Sequence, residues 1–123
     1  MEQEEKTYTT EELKQLARSI AREYNLDEEK FVAVVAHETA NTWDPKIQSY
    51  IKYKFADPKR GIVIGEREKS FGLAQIHLPD HPNVTKEQAT NPEFALRFMA
   101  EKWSEGRMAM WSGYTFLYGQ KKS

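Results

Sequence analysis

The segment FVAVVAHETANTWDP places a carboxylate, Glu38, at the end of an apolar helical stripe. Phe31, Val34 and Val35 recur at helical spacing, and Glu38 continues that stripe one turn further on. A carboxyl group in that position leaves water, which disfavours its ionised form and raises its pKa. A raised pKa is what a general acid needs near neutral pH, so Glu38 is the candidate catalytic acid. The competing expectation is a charge that frays into solvent at a helix end or pairs with a lysine.

A second segment, SFGLAQIH from Ser70 to His77, surrounds a single amide, Gln75, with Leu73, Ala74 and Ile76. An amide among apolar neighbours must find partners in the protein or in a ligand. Around Glu38, Trp43, Asp44-Pro45 and Ser49 follow in order; Gly72-Leu73-Ala74-Gln75-Ile76 comes next, and then Asn91-Pro92-Glu93-Phe94-Ala95-Leu96. This ordered trio resembles the motifs of the soluble lytic transglycosylases and the goose-type lysozymes, and the likeness spans roughly residues 30–114.

The resemblance implies a lysozyme-like, mainly α-helical fold with a short β or irregular flap, acting on the glycan strands of peptidoglycan. In the transglycosylases it implies one carboxylate, here Glu38. That group protonates the oxygen between N-acetylmuramic acid and N-acetylglucosamine, then deprotonates the muramoyl C6 hydroxyl, which closes on C1 to leave a 1,6-anhydro end. An intramolecular nucleophile needs no second carboxylate to activate water. No cofactor is implied. Gln75 and Ser49 correspond to binding residues of the family. Ser70 stands where the chicken-type lysozymes carry their second carboxylate, and is grouped with them as substrate-binding; a hydroxyl there favours transglycosylation over hydrolysis. Trp43 is expected to pack beneath the catalytic loop.

Three departures stand out. Glu-Thr-Ala-Asn-Thr-Trp is two residues longer than the family's usual spacing from glutamate to aromatic. The stretch from Tyr50 to Lys69 is longer than the usual connection. Met110-Trp111-Ser112-Gly113-Tyr114 replaces the family's Ala-Tyr-Asn-Ala-Gly, so either Trp111 or Tyr114 takes the place of its tyrosine, and by this resemblance both are grouped with the substrate-binding residues. Two readings stand beside transglycosylation. Glu66 or Glu68, on the long stretch, could serve as a second carboxylate and make the protein a goose-type muramidase, although solvated charge beside Arg67 and Lys69 is the plainer expectation. A glycan-binding module without turnover is the other.

No metal site is expected. His37-Glu38 begins like the zinc-protease string HExxH, but Asn41 occupies the position of the second histidine. His77 and His81 are separated by Pro79, which breaks any helix that would align them.

A chain of 123 residues is the size of one domain, so residues 1–123 are read as a single unit with residues 1–8 as a flexible extension. A formal net charge of −1 argues against a general nucleic-acid binder, and the chain is expected to be a monomer. There is no cysteine and no long apolar run, so neither disulfides nor a membrane span is expected. The start, MEQEEKTYTT, is polar and acidic, unlike a signal peptide, while a wall-cleaving enzyme must act outside the membrane, whether exported or delivered by a phage.

The elements that must position these groups can be read from caps and periodicity. Thr9 and Glu12 have capping-box spacing, and Leu13, Leu16, Ala17, Ile20 and Tyr24 make one apolar face of a helix over 11–24. Asp27 caps a second helix, over 28–40, that carries Glu38 near its end. Ile62-Val63-Ile64 predicts a short strand or flap. Thr85 with Gln88 marks a short helix, and Asn91-Pro92 opens a longer one to about Glu105, with Phe94, Ala95, Phe98, Met99 and Trp103 inward. A last short helix is expected near 108–111, followed by an aromatic segment.

Overall fold

The structure, a computed structural model, describes residues 7–119. Of the expected N-terminal extension, residues 1–6 lie outside the described residues, and Tyr8 packs against the core. The fold is mainly α with a small two-stranded antiparallel sheet. Among the described residues no helix is long and apolar enough to cross a membrane.

Helix α1, Thr10–Glu23, starts where Thr9 and Glu12 close a reciprocal capping box, each side chain accepting the other's backbone N–H. It buries Leu13, Ala17, Ile20 and Ala21, while Leu16 and Tyr24 are only partly covered. Helix α2, Glu28–Glu38, starts at Asp27, whose carboxylate accepts the Lys30 N–H. It buries Phe31, Val34 and Val35 against α1.

Helix α2 ends two residues earlier than its sequence suggests, which makes Glu38 its last residue. Ala40 and Asn41 take left-handed backbone angles, φ 52° and 65°, and the Asn41 N–H closes on the Ala36 carbonyl at 2.7 Å. Buried Thr39 ties the turn together: its hydroxyl donates to the Val35 carbonyl and accepts the Trp43 N–H. Ala40 and Asn41 thus reverse the chain through left-handed angles, and Trp43 reaches the core.

From there the chain makes one long irregular hairpin. Isolated bridges pair Gln48 with Phe71, Lys52 with Arg67 and Asp57 with Ile62. All three share one register, since each step inward advances both strands equally, and a 3₁₀ turn at Pro58–Arg60 forms the tip. Of the short strand or irregular flap expected at Ile62-Val63-Ile64, the irregular flap is found: only Ile62 forms a bridge and is buried, while Val63 and Ile64 are exposed. Strand β1, Ser70–Phe71, then pairs with β2, Ile76–His77, around the turn Gly72-Leu73-Ala74-Gln75. Gly72 is obligatory there: φ is 82°, and a Cβ would lie 1.9 Å from the Ala89 carbonyl oxygen.

A short helix α3, Lys86–Ala89, has the expected Thr85/Gln88 capping box. Helix α4, Pro92–Ser104, is capped by Asn91 and lies against α1. Its inward face is Ala95, Leu96, Met99, Ala100 and Trp103; Phe94 and Phe98, expected inside, are only partly covered because the face is turned toward Leu96 and Ala100. The expected last helix is a 3₁₀ turn at Met108–Met110, and the aromatic segment is itself helix α5, Ser112–Tyr118, packed on α2.

Candidate active site

The C-terminal end of α2, the base of the hairpin, the Gly72–Gln75 turn and the start of α5 surround a cleft of about 600 Å³. Glu38, Ser49, Glu68, Ser70, Gln75 and Trp111 all line it. Glu66, Tyr114 and Trp43 do not.

Glu38 keeps only 11% of its side chain exposed. Burial raises its carboxyl above the ordinary value; the Gly113 N–H and His37 act in the opposite direction, and Glu68 adds to the rise. The Gly113 N–H donates to Oε2 at 2.8 Å, and His37 Nδ1 stands 4.0 Å from the same oxygen. An oxygen that accepts an N–H is the poorer place for a proton, so in the protonated form of the carboxyl the proton sits on Oε1. Gly113 is required for this approach, because a Cβ there would meet Oε2 at 2.8 Å and His37 Nδ1 at 2.9 Å. Sequence reasoning missed Gly113 as a site residue; its signal was a glycine within an aromatic helix, where propensity disfavours it.

Gln75 sits in the cleft wall with φ 47°, and its amide nitrogen donates to the Ile47 and Gly72 carbonyls at 3.2 and 3.0 Å. Those bonds clamp the hairpin base to the buried turn, so the nitrogen is spent on structure, and the amide oxygen is the atom left to offer a ligand. Ser49 accepts the Ile51 N–H on its hydroxyl at 3.1 Å. The Ser70 hydroxyl donates to Glu68 Oε1 at 3.4 Å, which holds one flap carboxylate beside the cleft, while Glu66 is exposed.

Trp111, buried to 4% exposure, donates its indole N–H to the Ala74 carbonyl at 2.6 Å and forms part of the cleft wall. Tyr114 turns inward against Trp103 and Tyr118. Of these two aromatics, only Trp111 is brought to the cleft. Trp43, in the loop after α2, is buried in the core.

His77 also lines the cleft, and it was legible in sequence only as a loop histidine. Its Nδ1 lies 2.9 Å from Asp80 Oδ2, and its Nε2 lies 2.7 Å from the Tyr53 hydroxyl. The Tyr53 hydroxyl in turn accepts the Lys69 N–H. Asp80 also pairs with Arg60, and Arg60 with Asp57, so this chain of groups fastens the hairpin tip to the body. Asn41, in place of the second histidine of an HExxH string, lies beyond the end of α2. Among the described residues no three His, Cys, Asp or Glu side chains are grouped as a metal site would require.

Comparison with protein families, curated proteins and solved structures found no match to this chain.

Proposed function

We propose that the protein cleaves the glycan strands of peptidoglycan as a lytic transglycosylase. The observation that carries this reading is Glu38: a single desolvated carboxyl at a helix end, fixed by the Gly113 N–H and facing a cleft. Protonated on Oε1, it donates to the oxygen between N-acetylmuramic acid and N-acetylglucosamine. The resulting carboxylate, stabilised by the Gly113 N–H, then removes the proton of the muramoyl C6 hydroxyl as that oxygen closes on C1. The ordered motifs around Glu38, Gln75 and Asn91 supply the substrate class, by resemblance.

One observation favours a second reading. Glu68 lines the same cleft and is steadied by Ser70, so a second carboxylate is available to activate water, as hydrolysis requires. Mass spectrometry of the products separates the two. Transglycosylation gives muropeptide ends lighter by one water, and Glu68→Gln leaves their formation intact. Reducing ends that vanish in Glu68→Gln establish the muramidase instead.

Under either reading Glu38→Gln lowers turnover by about 10²–10⁴-fold, with glycan binding retained. The raised carboxyl also has a stability signature. Its contribution is fully present below the unfolded value of 4.5 and is lost as pH rises through the higher folded value. Glu38→Gln is therefore expected to gain stability relative to the parent above that folded value, measured by melts across pH.

A further inference from the structure

The net charge of −1 conceals a segregation. Residues 46–69 carry seven Lys or Arg against three Asp or Glu, which leaves eleven and sixteen for the rest of the chain. The long hairpin is thus a basic arm on an acidic body.

Within it, Lys52 and Arg67 are bridge partners. The hydrogen bonds on either side, Glu68 N–H to the Ile51 carbonyl and Tyr53 N–H to the Glu66 carbonyl, mark this as a non-hydrogen-bonded pair. Such pairs hold their side chains closest, with Cα atoms about 4.5 Å apart, and like charges directly opposite are destabilising. Arg67 cannot swing away. Its Nε and Nη2 donate to the Ser49 and Gln48 carbonyls at 3.0 and 2.9 Å, and its guanidinium lies 4.6 Å from the centre of the Tyr50 ring. Lys54, also exposed, follows two residues after Lys52. Among the described residues no carboxylate forms an ion pair with Lys52, Lys54 or Arg67. Glu66 and Glu68 alternate with Arg67 along the strand, and Glu68 turns to the cleft. The row begins at the cleft rim, where Tyr50 is 75% exposed and lines the opening.

We infer that Lys52, Lys54 and Arg67 form a contact site for the anionic groups of the wall polymer whose glycan enters the cleft. An anion between Lys52 and Arg67 relieves a repulsion that the hairpin otherwise retains, and Arg67 is already oriented by its backbone bonds. The ligand chemistry is a carboxylate or a phosphate monoanion, from peptide stems or from polyol-phosphate polymers on the same wall. Only the choice of polymer rests on the reading of the cleft as a glycan site.

The test is binding of the full chain to purified sacculi in the Glu38→Gln background, with and without Lys52→Glu. The reversal is expected to weaken binding about tenfold at low salt, with the difference collapsing at high salt. It is also expected to melt at or above the parent temperature, because it converts a like-charge pair into an opposite one. Loss of the difference on sacculi stripped of peptides assigns the site to stem carboxylates; loss on acid-stripped sacculi assigns it to phosphates. Equal affinity and equal salt dependence in both chains overturn the inference. With an intact Glu38, uncut peptidoglycan alongside weaker sacculus binding by Lys52→Glu would sink the proposed cleavage and leave the arm's contact standing. Cleavage with unchanged binding would do the reverse.

Discussion

Helices α1, α2 and α4 bury Leu13, Phe31, Leu96 and Trp103 in one continuous core, whereas the hairpin that forms the cleft's other wall has little of its own. Between residues 50 and 69 only Tyr53 and Ile62 are buried, and both lie outside that core. The arm is held instead by polar links: Tyr53 to His77, Arg60 to Asp80, Arg67 to backbone carbonyls. Apolar burial is indifferent to pH and little affected by salt, while the Arg60–Asp80 ion pair among these links depends on both. The cleft therefore has one rigid wall, which carries Glu38, and one wall whose attachment can be loosened without unfolding the body.

The sharpest break lies at the joint. Gly72→Ala is expected to cost at least about 3 kcal/mol, because it adds a steric conflict with the Ala89 carbonyl to a backbone angle that favours glycine. A chemical melt reads it, and both walls should fail together. Gly113→Ala acts on the rigid wall alone. Displacing the N–H from Glu38 removes a bond that favours the carboxylate, so the high-pH limb of the rate profile should move up while turnover falls about tenfold.

Tyr53→Phe tests the polar wall. Losing the hydroxyl that bridges His77 and the Lys69 N–H is expected to cost about 1 kcal/mol. Amide exchange should rise in residues 48–57 and 62–69 and stay unchanged in α1 and α4. Acid is expected to do the same more gently. The His77 hydrogen bond, then Arg60, hold the Asp80 carboxyl below its ordinary value of 3.8. A lowered value contributes stability above 3.8 that is lost as pH falls through the folded value, so exchange in the arm should accelerate there first. Smallest of all is Arg97→Ala. Its bonds to Glu23 join α4 to α1 at the surface, its bond to Glu93 stays within α4, and its loss should move stability by no more than about 0.5 kcal/mol.

Where helices start was readable directly. Thr9, Asp27, Thr85 and Asn91 each cap the helix assigned to them, because a cap is a local bond between near neighbours. Where helices stop was less so: the end of α2 at Glu38 depends on left-handed Ala40 and Asn41, types that do not announce such angles as glycine does. The final helix lies in the aromatic segment rather than near 108–111, because α5 packs its residues on α2, a contact between segments far apart in the chain.

The apolar stripe that ends in Glu38, the apolar neighbours of Gln75 and the caps that start four helices were determined by residue type and spacing alone. Only the tertiary structure decided that Gly113 meets Glu38, that Trp111 rather than Tyr114 reaches the cleft, and that Glu68 lines it while Glu66 does not. It also decided that Lys52 faces Arg67. Periodicity reports which face of an element leaves water, but these four outcomes join segments distant in the chain, and their register and approach are set by packing.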